Sequence, residues 1–405
     1  MKPAIWMAIA LWGAMSIPEV YAEDVPTKVA AEVIYDETVV EDSLYLLSVQ
    51  REHELADGYF GMDYDFRYNL QLGYFSEKPS GEKLLLDLKE VIATGEKSWE
   101  GSSLKIGAQR VTWGENLLLP ILDVVNPRDV TNPKGYYDSS NKLSVPMVQS
   151  MWFAGDYSLQ LIYVPVTRKS KNPKDIGEFS VKPIEYREWS ESYEYGFRPT
   201  ILWGATEINL YYYNHWQRIP SFVFTPVSGR YDLREDEARV LTKGFSFSHS
   251  HDAVVVRGDV AVHDNFPATT VAHEVTRMKL IQGILGAEYA TLSQMGFGLE
   301  LHMDEWEHAP DSFTDDALVS IDDGPRQMQW LGTSVRKSAD DWEGQAAYFE
   351  GLDNNDKLTR LKLTYFPNDD YDIDFELVKT EVNTTSPKFL LSQRKRVLLG
   401  IKHSF

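Results

Sequence analysis

The chain predicts an all-β fold, a transmembrane antiparallel β-barrel of about 16 strands, within a range of 14 to 18, with a loop that could fold into its lumen. Three observations predict it. The tail alternates, with Val397, Leu399, Ile401, His403 and Phe405 on one face of a strand and Leu398, Gly400, Lys402 and Ser404 on the other. Similar alternation runs from about residue 44 to the end, in several runs long enough to cross a bilayer as tilted strands. Past the first residues no apolar stretch reaches the roughly 20 residues of a spanning helix, so a membrane location would require a barrel.

At the start, Met1 to Ala22 has one basic residue, Lys2, an apolar stretch from Ala4 to Met15, and Val20 and Ala22 flanking a plausible cut. It reads as a secretory signal peptide, too short in its apolar part to anchor. The sequence has no cysteine, which removes disulfides, thiolate metal sites, thiol nucleophiles and lipid-modified cysteine. Residues 23–42 alternate weakly and are expected to be periplasmic or disordered; residues 43–405 are expected to form the barrel without an internal domain boundary. The formal charge of −21 opposes nucleic-acid binding, which needs a basic face.

Within the barrel the faces can be assigned by parity. Phe66, Tyr68, Leu70 and Leu72 oppose Arg67; Leu104 and Ile106 oppose Lys105; Tyr195, Phe197, Ile201 and Trp203 oppose Arg198; Ile208 and Leu210 oppose Glu207. Val254, Val256, Val260 and Val262 oppose Arg257, Asp259 and His263; Leu285, Ala287 and Tyr289 oppose Glu288; Phe297, Leu299, Leu301 and Met303 oppose Glu300, His302 and Asp304. Leu361, Leu363 and Tyr365 oppose Arg360 and Lys362; Tyr371, Ile373, Phe375 and Leu377 oppose Asp372, Asp374 and Glu376. In a membrane barrel the charged faces line the lumen; in a soluble sandwich the same faces would meet solvent, and alternation alone does not separate the two. Tight turns are expected at 203–206, 291–294, 353–356 and 367–370, on the periplasmic side or in short hairpins. Long polar connections are expected at about 114–146, 166–192, 218–239, 264–275 and 306–326. The terminal Phe405, with Ile401 and His403 on its face, resembles the signal by which the outer-membrane assembly machinery recognises its clients.

Two linked stretches stand apart, Gly107-Ala-Gln-Arg-Val-Thr-Trp-Gly-Glu115 and Leu122-Asp-Val-Val-Asn-Pro-Arg-Asp129. Trp113, Glu115, Asp123, Asn126, Arg128 and Asp129 are the candidate constriction or substrate path. Asn126-Pro127 is a turn former, and Arg128 and Asp129 can pair with charges on a barrel wall. The plainer alternative is that these residues pin a loop to the wall. Arg110, which shares a face with Leu104 and Ile106, is expected at the rim.

The two stretches resemble an uncharacterised family of Gram-negative outer-membrane β-barrels in which a strand ending G-x-Q-x-V-x-W-G-E runs into an L-D-V-V-N-P-x-D loop. Weaker likeness continues through Leu159 to Pro165 and Tyr195 to Arg198. The resemblance implies genes beside lipid-exporting transporters of the RND superfamily and beside a periplasmic lipid carrier. By that association it implies passage of a lipidic or hydrophobic compound, with outer-membrane lipids, the barrel assembly machinery, the exporter and the carrier as partners. The alternative is a porin selective for small polar, cationic solutes, favoured by the acidic faces; a third is a sealed surface barrel. No cofactor or metal is expected. Ser248-His249-Ser250-His251 lacks an orienting acid and reads as a rim turn, not a catalytic centre. Glu300, His302 and Asp304, with His263 and Asp259, lack recognisable ligand spacing and read as lumen wall.

Overall fold

A computed structural model describes the backbone of residues 27–36, 42–56, 63–75, 84–97, 101–115, 120–128, 142–170, 175–176, 179–182, 192–218, 221–227, 230–236, 238–269, 275–307, 327–353, 356–381 and 395–404. Side chains are described from residue 101 onward, excepting the shorter strands between 175 and 236 and a few strand ends.

In chain order the strands are β1 (Thr27–Asp36), β2 (Asp42–Ala56), β3 (Asp63–Phe75), β4 (Leu84–Lys97), β5 (Ser102–Gln109), β6 (Val145–Ala154), β7 (Tyr157–Val164), β8 (Asp175–Ile176), β9 (Phe179–Lys182), β10 (Glu194–Trp203) and β11 (Thr206–Trp216). There follow β12 (Ser221–Val227), β13 (Arg230–Asp236), β14 (Arg239–His251), β15 (Val254–Thr269), β16 (Val275–Ala290), β17 (Met295–Glu307), β18 (Gln327–Ser338), β19 (Trp342–Gly351), β20 (Lys357–Asn368), β21 (Tyr371–Glu381) and β22 (Lys395–Ser404). Eighteen of them form one antiparallel sheet in which each pairs with its neighbours along the chain, β7 passing to β10 and β11 to β14. The ring closes where β1 pairs with β22, from Lys28 opposite Ser404 to Asp36 opposite Arg396. Closure leaves no sheet edge, the condition for placing strands in hydrocarbon. The strand number is at the upper end of the expected range.

The expectation for residues 23–42 fails over 27–36. Those residues are β1, a full member of the ring. Its alternation is blurred because Ala30 and Ile34 share a face with Lys28 and Glu32. Three of the expected long connections also contain regular structure. The stretch 166–192 holds β8 and β9, and 218–239 holds β12 and β13; these four strands make a second small sheet, and β12 approaches β15 and β16. Residues 264–269 continue β15 past a bulge between His263 and Phe266, where Asn265 takes φ 64°. Residues 1–26, with the expected signal peptide, and Phe405 lie outside the described residues; Ile401 and His403 pair through their backbones with Ala31 and Val29 of β1.

The connections sort by rim. Those at 155–156, 204–205, 252–253, 291–294, 339–341 and 369–370 all lie at one end of the barrel, whereas 110–144, 165–193, 217–238, 308–326 and 382–394 lie at the other. The connection at 352–356, expected to share a rim with the turns at 204–205 and 369–370, is at the opposite one.

Parity sorts the faces. On β17, Phe297, Leu299, Leu301 and Met303 are exposed while Glu300, His302 and Asp304 are buried. On β20 Leu361, Leu363 and Tyr365 are exposed, and Arg360 and Lys362 are turned to the other side, reaching Glu376 and Asp374 of β21 at 3.1 and 3.9 Å. On β10 Tyr195, Phe197, Ile201 and Trp203 are exposed and Glu194 and Thr200 buried. Among the described residues, large apolar side chains exposed along the outer face of strands from β5 to β22 fit a hydrocarbon medium, and the opposite face is the lumen. Leu299→Arg or Leu361→Arg should therefore destabilise the barrel by about 2 to 4 kcal/mol in denaturant titrations in lipid, whereas Lys362→Gln should change it by less than about 1 kcal/mol.

Candidate functional site

After Gln109 the chain leaves the wall and turns into the lumen. The described parts of this segment, 110–115 and 120–128, press on the inner faces of β6, β7, β10, β11, β14 and β15 and form a core there: Val111, Trp113, Ile121, Leu122 and Val125 from the segment, with Val145, Met147, Ile162, Val164, Tyr211, Tyr213 and Ala261 from the wall. The same apolar cluster includes Ile284 of β16 and Phe349 of β19, so the packing extends toward the far wall. A barrel interior lined with Val, Ile and Met is costly beside water, and burying it under a folded segment removes that cost.

Each residue of the two linked motifs has a distinct contact. Trp113 is 1% exposed, donates from its indole N–H to Gln160 at 2.8 Å, and lies edge-on or tilted against Tyr213 and Tyr211, both at 5.4 Å between ring centroids. Gly114 takes φ +89°, and a Cβ there would stand 2.8 Å from Asp259 Oδ2, so both conformation and space require glycine. The Glu115 backbone N–H donates to both carboxylate oxygens of Asp259 at 3.2 Å. Leu122, fully buried, sits over Gly244 of β14, whose missing side chain makes the seat; a Cβ on Gly244 would collide with it. Such close packing carries no slack for an added methyl.

Polar clamps hold the segment in place. Asn126, 1% exposed, accepts from Val111 N–H at 2.7 Å and donates to the carbonyls of Gln109 and Leu143, both at 2.9 Å. One amide thereby ties the descending leg, the return of the segment and the start of the path to β6. Asp123 is met by Arg128 at 2.7 Å and Lys142 at 2.8 Å, all three side chains being at least 96% buried. Burial pulls the Lys142 ammonium below its ordinary value, against the opposing pull of Asp123. Arg218, in the connection after β11, pairs with Glu194 at 2.6 Å and donates to the Val124 carbonyl at 2.8 Å and also to the Val125 carbonyl. Glu194 also accepts from Thr167 at 2.7 Å, Tyr213 at 2.8 Å and the Trp216 N–H at 3.0 Å, so the buried charge is fully bonded.

Of the residues expected to form the constriction, Trp113, Glu115, Asp123, Asn126 and Arg128 come together in this segment; Asp129 lies outside the described residues. Arg110 directly follows the end of β5, at the start of the inward segment, close enough to Lys142 to act on its charge. Of the pair that completes the clamp, Glu194 is legible in the sequence only as a member of the polar face of β10, opposite Tyr195 and Phe197, and Arg218 carries no local signal in its polar stretch. Gly244 was likewise silent.

The charged wall continues around the lumen. Arg257 pairs with Glu288 at 3.0 Å, Arg360 with Glu376, and Lys402 with Asp374 at 2.6 Å. Glu207 accepts from Asn209 at 3.0 Å, and Asn209 also reaches Glu115 at 3.3 Å. Asp259 and Glu300 are buried on this face; Lys105, Arg198 and Asp372 are half-buried on theirs, and the Arg67 side chain lies outside the described residues. Burial, with Glu207 and Asp259 beside it, holds the Glu115 carboxyl above the ordinary carboxylate range; Glu115 belongs to the luminal segment and not to a spanning strand. His302 bonds to Asp304 at 2.6 Å and His263 to Thr242 at 2.8 Å and Gln282 at 3.0 Å, a hydrogen-bonded girdle; no metal-binding group occurs among the described residues. His249 bonds to Thr206 next to the turn at Asp252.

Asn126→Ala would strand one buried N–H and remove a donor from two buried carbonyls, at a cost of about 3 kcal/mol to the seated segment. Peptides covering 110–128 should exchange backbone hydrogen on the order of a hundredfold faster, while β15–β16 and the heat-modifiable gel mobility stay unchanged. Unaltered exchange would show that the amide does not hold the segment.

The fold is similar to those of Pseudomonas aeruginosa OccK5 (OpdH), at 11% identity over 94% of this chain and 97% of that one with a TM-score of 0.56, and Acinetobacter baumannii OccAB2, at 9% identity over 95% of this chain and 98% of that one with a TM-score of 0.56. At such identities the likeness shows the porin-like β-barrel fold and no more. Comparison with curated protein sequences returns no match. The family model described as "Protein of unknown function (DUF1302)" matches residues 92–376, a span that takes in the luminal segment and the strands it rests on, and the chain belongs to that family.

Proposed function

We propose that the protein is a selective channel of the Gram-negative outer membrane whose passage is set by the luminal segment 110–128, with no chemistry of its own. The observation that supports this is the clamped segment: apolar residues seated on the wall, two desolvated ion clusters and one fully bonded asparagine hold it inside a charged lumen, where it would narrow the path. The rim with the short turns then faces the periplasm and the long connections face outward. The N-terminal signal peptide supplies export, and the Phe405 tail supplies recognition by the barrel assembly machinery.

A second reading is passage of a lipidic or hydrophobic compound, in concert with an RND-superfamily exporter and a periplasmic lipid carrier. One observation favours it: near the rim with the long connections, Ala268, Met278, Leu280 and Trp306, with Phe266, form an apolar patch on the inner face of β15 to β17. The charges lining the rest of the lumen favour the first reading.

Planar bilayers test the constriction. The wild-type protein should pass small steady currents and Asn126→Ala distinctly larger ones; wide conductance in the wild type, indifferent to Asn126→Ala, would remove the segment's role. Loss of a hydrophobic cargo's export in cells lacking the protein, with small-solute uptake intact, would instead establish the second reading.

Acidification tests Glu115. Because the folded protein favours its neutral form, its charge is lost as pH falls through a value above about 4.5, before exposed acids protonate. Reversal potentials in a KCl gradient should show cation preference declining over that window. Glu115→Gln should have the weaker preference already at neutral pH and a flatter pH profile.

A further inference from the structure

A chain of hydrogen bonds crosses the inner wall from β11 to β17. His215 meets the Trp216 carbonyl through Nδ1 at 2.9 Å and Thr242 Oγ1 through Nε2 at 2.8 Å. The same hydroxyl meets His263 Nδ1 at 2.8 Å, and His263 Nε2 meets the Gln282 side-chain carbonyl at 3.0 Å. Gln282 then donates from its amide nitrogen to Asp304 at 2.8 Å. His302 Nε2 reaches the same carboxylate oxygen at 2.6 Å, and its Nδ1 has no hydrogen-bond partner among the described residues, so the single hydrogen of a neutral ring serves it.

Both ends of the chain from Trp216 to Asp304 are thus acceptors, a carbonyl and a carboxylate, and the five links between them need five hydrogens. A neutral His215 supplies one, Thr242 one, a neutral His263 one and Gln282 one. Turning the amide of Gln282 or flipping either ring leaves that count unchanged, because both sides of the amide and both nitrogens of each ring are engaged. Four hydrogens cannot fill five links. With neutral rings and an ionised Asp304, one link sets lone pair against lone pair, and buried groups there lose a bond.

We propose that this girdle is a site for one proton: acidification adds it, the last link closes, and β11, β14, β15, β16 and β17 are tied into one strip of wall. The proton belongs to the network and not to one residue, since His215, His263 or, with the amide turned, the Asp304 carboxyl can each hold it while the other hydrogens shift along. Other charges face the chain. Glu194 of β10 and Arg218 after β11 act on His215 and are paired with one another at 2.6 Å; Asp264, which acts on His263 together with Asp304, is paired with Lys243 of β14 at 2.8 Å. The two rings also act on each other, so the first added charge opposes a second. His215 stacks on Tyr213 at 5.0 Å between ring centroids, and Tyr213 donates to Glu194 at 2.8 Å, so the chain ends against the clamp that holds the luminal segment. The inference concerns the wall itself and holds whether or not the lumen conducts.

The test is ring-nitrogen NMR of the full chain in lipid nanodiscs, isotope-labelled at histidine, from about pH 8 to about pH 3. His215 and His263 should respond together, at one midpoint, with uptake of a single proton. Thr242→Val keeps the shape of the residue and deletes the shared hydroxyl, and the two rings should then titrate at separate midpoints. His249→Gln, in an exposed pair with Thr206, should leave the common midpoint in place. Amide protection, corrected for the intrinsic pH dependence of exchange, should rise several-fold in β14 to β17 across that midpoint and not in β6 and β7. If Thr242→Val fails to assemble, the wild-type titration decides alone. Separate midpoints in the wild type, two protons in the common step, no response of either ring, a midpoint still shared in Thr242→Val, or protection indifferent to the step overturns the site.

Discussion

A strand surrounded by hydrocarbon has no water to satisfy its N–H and C=O groups, and the closed ring follows from that constraint. Pairing of β1 with β22 is therefore the contact on which the rest depends. Once the ring closes, alternation has a fixed meaning around its full circumference: Leu299 and Leu361 go outward, Glu300 and Arg360 inward. Among the described residues the charges of the mid-strand stretches, such as Arg257, Glu288, Arg360 and Asp374, thereby face the lumen, where they must be hydrated or paired. Arg257 with Glu288, Arg360 with Glu376 and Lys402 with Asp374 show pairing between neighbouring strands.

An 18-stranded ring also encloses more space than its own side chains fill. Part of the inner wall, on β6, β7, β11 and β15, is apolar and would be wet without a cover. The inward segment is that cover, and its sequence meets the resulting demands one by one. Leu122 fills the place over Gly244, Gly114 permits the turn next to Asp259, and Asn126 serves backbone groups that would otherwise be buried without partners. The charges within it are affordable in a dry place because they are multiply bonded; removing one member of the Asp123 or Glu194 group would leave the others uncompensated.

Much of this was legible in the sequence where a local pattern carries it. The faces of β10, β17 and β20 follow from parity alone, and the unusual wording around Trp113 to Glu115 and Leu122 to Arg128 marks a place where strand grammar stops. What escaped depends on contacts between distant residues. No local feature of Gly244 says that Leu122 will rest on it, and nothing near Arg218 says that it will hold the carbonyls of Val124 and Val125. β1 escaped because Ala30 and Ile34 interrupt its polar face, and β12 because Pro226 and the charges of β13 read as loop. The strand count was low for the same reason: where small and polar residues alternate weakly, register with a neighbour, not sequence pattern, decides the strand.

The sorting of connections by rim has a consequence for biogenesis. The five longest connections all lie at one end, and together they carry many charged side chains of both signs, so in the orientation proposed above they are the parts that must be carried through the hydrocarbon when the barrel enters a bilayer. The short turns at the other end never make that journey. Insertion is consequently a vectorial process: approached from the face where the turns will stay, the membrane has to admit a bundle of polar loops once, after which their charge opposes any return. The difference between the two ends is thus one that would oppose withdrawal of the inserted barrel.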